Sequence, residues 1–160
     1  HHIGGFTCEL CGSNYEESYE NAIACASRQV SGFVAWLMEQ DFYENTTIVI
    51  TGDHCSMDNG YFDRNVEDGY ERHIYNCFIN AAATPFRTQQ RQFCAMDMFP
   101  TTLAAMGCTI GGNRLGLGTN LFVGIPTLTE RMGFEKLDNQ IALGSDYYAQ
   151  VFRQEEVEGK

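Results

Sequence analysis

Residues 46–55 read TTIVITGDHC, and this stretch decides how the rest of the chain can be arranged. The side chains of residues 48–51 are all β-branched, which favours an extended backbone. An unbroken run of this kind predicts a strand buried on both faces of a sheet. Gly52 follows the run and allows the chain to turn sharply at the end of the strand.

The predicted strand is followed at once by a carboxylate and an imidazole, Asp53 and His54. In open α/β sheets, ligands bind in the crevice at the carboxyl ends of the strands. The two side chains offer one oxygen and one nitrogen ligand, which suits a divalent cation such as Zn²⁺ or Mn²⁺. An aspartate that caps the strand end beside a loop histidine would give the same Asp-His sequence. The pair alone therefore does not distinguish a metal site from this structural role.

The flanking segments predict helices and a second strand. Periodic apolar residues predict a helix from Tyr15 to about Gln40, capped by Ser13 or Asn14, that covers the sheet. Residues 74–80 predict the next strand, and residues 54–73 between the strands predict a charged loop. Further on, the pattern predicts a helix capped by Asp97 and ended by Gly107, a tight glycine-rich loop over 111–122, and short helices over 128–134 and 141–152. The order of elements predicts an α/β fold.

Composition limits the classes of partner. The chain has 160 residues and a net charge of -11, which disfavours nucleic-acid binding because phosphate contacts need clustered Lys and Arg. The same charge argues against a basic patch that docks on anionic lipid, and no apolar run is long enough to span a bilayer. An anionic substrate remains compatible with this charge, since a bound cation can dominate the local field.

The seven cysteines fall into two sets. The first set lies near the start of the chain and consists of Cys8, Cys11 and Cys25. Cys8 and Cys11 could form a zinc knuckle, although no second Cys-x-x-Cys completes four ligands. Alternatively, one of them could form a disulfide with Cys25. The other four lie in apolar stretches and are predicted to be small buried side chains, namely Cys55, Cys77, Cys94 and Cys108.

Four motifs spread over residues 1–122 resemble one enzyme superfamily, the sulfatases and alkaline phosphatases. The strand that ends in Asp53 and His54 is similar to its metal-binding strand end, and Asp97–Leu103 is similar to its Asp-x-x-Pro-Thr-x-Leu helix. Residues 114–122, RLGLGTNLF, resemble a segment of membrane-anchored phosphoglycerol transferases. His1 and His2, with Gly5 and Phe6, resemble the Thr-His-His segment of bacterial glycerophosphotransferases that act on membrane oligosaccharides, close cousins of lipoteichoic acid synthases.

The resemblance implies a mechanism and a set of site residues. In such enzymes a Thr nucleophile takes the glycerophosphate head group from phosphatidylglycerol and passes it to a hydroxyl of a glycan acceptor. It implies a divalent metal, Mn²⁺ before Zn²⁺ or Mg²⁺, held here by Asp53 and His54. It also implies that His1, with its neighbour His2, touches the phosphoglycerol head group, although both could instead remain from a purification tag. Arg114 could bind a substrate phosphate with two N–H groups, or form a surface salt bridge.

The chain departs from the family pattern in one respect. An upstream metal-binding Glu and the nucleophilic Thr have no counterpart: Thr46, Thr47 and Thr51 belong to the predicted strand, Thr101 and Thr102 belong to the predicted helix, and none fits the nucleophile motif. We therefore expect residues 1–160 to be a single partial domain, the C-terminal half of an alkaline-phosphatase-like sheet flanked by helices. We expect the N-terminal half and the membrane helices to lie outside it, and the chain alone to be inactive. The resemblance places the full protein at the extracytoplasmic face of the bacterial cell membrane.

Two alternatives remain beside the transferase. A sulfatase or phosphodiesterase of the same superfamily would use water as the final acceptor, and a glycan-stimulated transfer product distinguishes the two. A binding domain that keeps the fold without chemistry would lack the nucleophile altogether, and a Thr after an upstream strand in a longer protein would argue against it.

Overall fold

The computed structural model describes residues 6–152, and the chain divides into two compact units, residues 1–82 and 83–160. The first unit contains helix α1 (Ser18–Met38), strand β1 (Ile48–Thr51), helix α2 (Asn59–Asn65) and strand β2 (Asn76–Ile79), with a 3₁₀ turn at Tyr43–Asn45. The second contains helix α3 (Ala95–Ala105), a 3₁₀ turn at Gly111–Asn113, strands β3 (Arg114–Leu115) and β4 (Gly118–Thr119), and helices α4 (Leu128–Met132), α5 (Phe134–Ile141) and α6 (Asp146–Phe152). The mixture of helices with small sheets confirms the predicted α/β class.

Helix α1 is shorter than predicted, and a buried side chain of its own first turn holds the segment that precedes it. Its N-cap residue is Glu17, which makes no side-chain cap, so the prediction of Ser13 or Asn14 as the cap is wrong. The buried Asn21 holds the segment before the helix: its Oδ1 accepts the Tyr15 N–H at 3.0 Å, and its Nδ2 donates to the Tyr15 and Glu17 carbonyls at 2.7 and 3.0 Å. One amide side chain thus fastens residues 15–17 to the first turn of α1.

Most of the predicted apolar stripe of α1 is exposed. The helix buries Asn21, Ala22 and Cys25 near its start, whereas its large apolar side chains lie open to solvent, including Ile23, Val30, Phe33 and Met38. Trp36, also exposed, stacks on Phe33 with ring centroids 5.7 Å apart. The prediction that this stripe packs onto the sheet is therefore wrong for the described part of the chain.

Strand β1 forms as predicted but pairs differently from a strand in a parallel sheet. It runs antiparallel to β2, with Ile48 opposite Ile79 and Thr51 opposite Asn76. Residues 48–50 are half-buried and Thr51 is exposed, so burial on both faces is not observed. Because the pairing is antiparallel, the end of β1 lies beside the start of β2, and the segments 52–55 and 72–75 become neighbours.

Helix α2 lies where a loop was predicted. The Asp58 carboxylate accepts the Tyr61 N–H at 3.0 Å and caps the helix, although Asn59–Gly60 had indicated a turn. Aromatic packing then fixes the helix on α1, since the rings of Tyr61 and Tyr19 lie 4.7 Å apart and the Tyr61 hydroxyl donates to Glu20 at 2.8 Å. These contacts join distant residues, which a local turn motif does not reveal.

Helix α3 starts two residues earlier than its expected cap. Cys94 is the N-cap residue, and Asp97 is the third helical residue of a capping box. The Asp97 carboxylate accepts the Cys94 N–H at 3.0 Å and the Thr119 N–H of β4 at 2.7 Å. Asp97 thus caps α3 and holds the β3–β4 hairpin at the same time.

The glycine-rich segment forms this hairpin rather than the predicted plain loop. Arg114 pairs with Thr119 and Leu115 with Gly118 across a two-residue turn. Gly116 has φ 58°, which suits the first position of a type II′ turn. Gly118 is buried, and an added Cβ there would overlap the Met96 carbonyl oxygen and lie 3.0 Å from Pro100 Cγ.

From residue 128 to the end of the described chain, short helices form as predicted, with different boundaries. Thr127 and Glu130 form a reciprocal capping box at the start of α4. Gly133, with φ 80°, then separates α4 from α5, which occupies residues that were expected to lie between two helices. Within residues 6–152, no helix combines the length and the hydropathy that a bilayer-spanning segment requires.

Candidate metal centre

Asp53 and His54 stand at the point where the β1–β2 pairing ends. The Gly52 N–H donates to the Tyr75 carbonyl at 2.9 Å, which extends the pairing by one residue beyond β1. The side chain of Ile74 approaches Gly52 so closely that a Cβ there would lie 3.4 Å from the Ile74 Cβ. Gly52 is therefore held by backbone pairing to residue 75 and lies against the Ile74 side chain, directly before the two polar residues.

The two side chains lie next to each other and are open to solvent. Asp53 Oδ1 accepts the His54 N–H at 2.9 Å, and Asp53 Oδ2 lies 3.4 Å from His54 Nε2. The side chains of His54 and Asp53 are 55% and 88% exposed. His54 Nδ1 lies 2.8 Å from the Cys55 carbonyl oxygen, and because a carbonyl only accepts, this contact places the proton on Nδ1. In the neutral imidazole, Nε2 then carries the lone pair and lies beside the carboxylate.

This geometry fits a pair of ligands of one divalent ion. Nitrogen and oxygen ligands about 2.1 Å from a tetrahedral ion lie about 3.4 Å from each other. The separation of His54 Nε2 and Asp53 Oδ2 matches that spacing, and a carbonyl bonded to the second ring nitrogen is the usual support for a metal-bound histidine. Among the described residues, no third His, Cys, Asp or Glu joins the pair.

The loop that follows the pair is held by Arg72, which the sequence motifs did not single out. Its Nη1 donates to the Ser56 carbonyl at 2.9 Å, and its guanidinium lies 4.5 Å from the centroid of the Phe62 ring. The Cys55 thiol in turn donates to the Arg72 carbonyl at 3.8 Å. Antiparallel pairing of β1 and β2 brings Arg72 to the loop after Asp53 and His54. Arg72 could therefore be identified only if the direction of β2 relative to β1 were known. His73, beside it, is exposed.

A second cluster of ligand atoms lies at the start of the first unit. The sulfur of Cys8 lies 3.6 Å from that of Cys11 and 3.8 Å from that of Cys25. Cys11 and Cys25 are each 1% exposed, whereas Cys8 is exposed. A hydrogen bond from the Leu10 backbone, followed by one from Cys11, lowers the pKa of the Cys8 thiol. For Cys11, a backbone hydrogen bond from Cys8 acts downward, but burial and the neighbouring thiols outweigh it and raise the pKa.

The remaining predicted residues have different outcomes. His1 and His2 lie outside the described residues. Arg114 is exposed in β3 of the second unit, and its Nη2 donates to the Pro126 carbonyl at 3.3 Å rather than to a carboxylate. The four scattered cysteines are not buried as predicted: Cys108 is exposed, and the others are half-buried, namely Cys55, Cys77 and Cys94.

Comparison with known proteins gives one result on the family. The family model described as Sulfatase matches residues 9–108, which is more than half of the chain and includes the Asp53–His54 pair. No curated protein matches the chain. No solved structure matches it either. Members of the sulfatase family are typically metal-dependent, which agrees with the ligand geometry at the end of β1. The chain belongs to the sulfatase family, within the superfamily that also contains the alkaline phosphatases.

Proposed function

We propose that this chain is part of a metal-dependent phosphoglycerol transferase, which moves the glycerophosphate head group of phosphatidylglycerol to a glycan acceptor through a covalent Thr intermediate. The observation that carries the proposal is the Asp53–His54 pair, with ligand atoms 3.4 Å apart at the end of a strand in a sulfatase-family chain. The RLGLGTNLF segment, residues 114–122, favours the transferase over a hydrolase of the same superfamily.

Each residue of the pair has a separate task in this proposal. A bound divalent ion, Mn²⁺ in the first place, would neutralise the charge that develops on a transferred phosphoryl group. Asp53 supplies a negative charge that offsets the cation, and His54 presents Nε2 in a fixed tautomer because Nδ1 is engaged by the Cys55 carbonyl. Arg114, which is exposed and carries a fork of N–H donors, is proposed to bind a phosphate oxygen.

We further propose that residues 1–160 are the C-terminal part of a larger catalytic domain that lies at the extracytoplasmic face of the bacterial membrane. The nucleophilic Thr and further metal ligands would belong to the rest of that domain. The exposed apolar side chains of α1 support the proposal, because extended apolar surface usually marks a contact with another part of a protein. Two protein ligands also form an incomplete site, since metal sites ordinarily have three or four.

Paramagnetic broadening by Mn²⁺ tests the pair directly, because it detects weak binding. On titration of Mn²⁺ into the chain, we expect the His54 ring resonances to broaden first, and resonances of residues 52–55 to follow. In an Asp53→Ala, His54→Ala double variant, the backbone resonances of residues 52–55 should no longer broaden selectively. The matched control is Asp63→Ala, His73→Ala, which removes an exposed carboxylate and an exposed imidazole nearby and should leave broadening at His54 unchanged. Equal broadening of His54 and His73 in the parent chain would contradict the assignment.

A further inference from the structure

The cysteine cluster has the dimensions of a metal site. The three sulfur atoms lie within 4.8 Å of one another, and the two shorter separations are 3.6 and 3.8 Å. Three sulfurs held about 2.3 Å from a tetrahedral zinc ion lie about 3.8 Å apart. The sulfurs of a disulfide lie about 2.05 Å apart, and a disulfide would join only two of the three. The observed spacing therefore favours a metal over a covalent bond.

Two hydrogen-bond donors are directed at the sulfurs. The Cys8 N–H donates to the Cys11 sulfur at 3.1 Å, and the Gln29 side-chain amide donates to the Cys25 sulfur at 3.1 Å. In a metal site, contacts of this kind orient the ligand atoms. Residues 8–11 are already folded as a tight turn, since the Cys11 N–H donates to the Cys8 carbonyl at 3.0 Å. The ligand positions are thus set by backbone as well as side-chain contacts.

We propose that Cys8, Cys11 and Cys25 bind one zinc ion through their three sulfur atoms, with the fourth position open to solvent on the side of Cys8. The site would fasten the turn at residues 8–11 to helix α1. Arg28 of the same helix already makes part of this connection, because its Nη2 donates to the Leu10 and Cys11 carbonyls at 3.1 Å. The proposed site shares no residue with the Asp53–His54 pair and does not depend on the proposed transferase activity.

The test uses the whole chain, purified under reducing conditions and stripped of metal, then loaded with Zn²⁺ or with Co²⁺. After removal of unbound ions, elemental analysis should find about one zinc per chain. The cobalt form should show thiolate-to-metal charge-transfer absorption. Cys8→Ser should weaken zinc binding by at least about 100-fold, because loss of a ligand exceeds the effect of losing a supporting contact. Since Cys8 is exposed, this variant should keep its helical circular dichroism.

Two control variants establish whether these three sulfur atoms hold the zinc. Cys108→Ser, which removes an exposed thiol outside the cluster, should bind zinc as the parent does. The Asp53→Ala, His54→Ala double variant should keep the full cobalt–thiolate absorption. Unchanged zinc binding in Cys8→Ser, or no zinc retained by the reduced parent, would overturn the proposal. A disulfide is the remaining alternative. If a thiol count shows that two of the three cysteines are joined, and the reduced chain takes up no zinc, the proposal is also overturned.

Discussion

Arg91 shows how much of the second unit depends on a single side chain. Its side chain is 8% exposed, and its Nε and Nη2 donate to the Glu130 carboxylate at 2.7 and 3.0 Å. Its remaining donors reach the carbonyl oxygens of Leu121, Val123 and Ile125 at 3.3, 2.7 and 2.9 Å. The planar guanidinium therefore ties an irregular segment to the start of α4, which a lysine with its single ammonium group could not do.

This network makes stability depend on pH through Glu130. Burial acts to raise the pKa of its carboxyl, but hydrogen bonds from Arg91 and from the Thr127 backbone outweigh it and lower the pKa. A carboxyl whose pKa is lower in the folded chain contributes stability that is complete above its unfolded value, about 4.3, and is lost as the pH falls through the folded value. We expect Glu130→Gln to lose about 2 kcal/mol at neutral pH. Urea unfolding at several pH values measures this.

The comparison variant is Glu135→Gln, at an exposed position of α5. It should match the parent in both stability and pH dependence, whereas Glu130→Gln should show a flatter decline below pH of about 4.3. A decline in Glu130→Gln as steep as in the parent would mean that other carboxyls cause the acid sensitivity.

At the scale of elements, local sequence predicts that a helix or a strand exists better than it predicts which strands pair. The β-branched run gives β1, and the apolar periodicity gives α1, because both patterns lie within consecutive residues. Helix α2 and the β3–β4 hairpin were missed, since glycines that indicate turns also start a short helix or fit a tight hairpin. The antiparallel partner of β1, and with it Arg72, depends on contacts between distant residues. That Asp53 and His54 lie side by side could be predicted, because one strand end positions both; their role as metal ligands stays a prediction.

The hairpin and α3 meet at Gly118, and this contact leads to a sharp prediction. Pro100 lacks the N–H that would bond to the Met96 carbonyl inside the helix, and Gly118 packs against that carbonyl. Gly118→Ala would force a methyl group into backbone atoms, so we expect a loss of about 3 kcal/mol or more. Gly111→Ala is the control, because nothing lies within 4 Å of its added Cβ. Thermal unfolding should separate the two variants, and equal melting temperatures would contradict this packing.

At the scale of the whole molecule, the negative net charge of the chain has to be compatible with a negatively charged substrate. The chain carries a net charge of -11, and the proposed substrate, phosphatidylglycerol, is itself an anionic lipid. Attraction by a basic surface is therefore not available to the chain as a whole. The proposal instead relies on a bound cation, whose local charge can exceed that of the surrounding surface.

The proposal predicts that the 160-residue chain alone does not convert phosphatidylglycerol to product. The buried Thr101, which lies in a family-like motif, is engaged elsewhere, because it donates to the Asp97 carbonyl at 2.6 Å and accepts from the Leu121 N–H at 3.0 Å. With Mn²⁺ and phosphatidylglycerol vesicles, we expect no diacylglycerol above the rate without protein. Metal-dependent release that the Asp53→Ala, His54→Ala variant abolishes would show that the chain is a complete enzyme.

The position of Asp97 has a consequence for how the second unit opens. Its buried carboxylate holds the Cys94 amide at the start of α3 and the Thr119 amide 22 residues away. Fraying of the first turn of the helix would move the carboxylate away from the hairpin, and lifting of the hairpin would leave Asp97 Oδ1 buried without its Thr119 donor. The two should therefore exchange their amide hydrogens with solvent together, as one cooperative folding unit rather than as a helix and a loop with separate lifetimes.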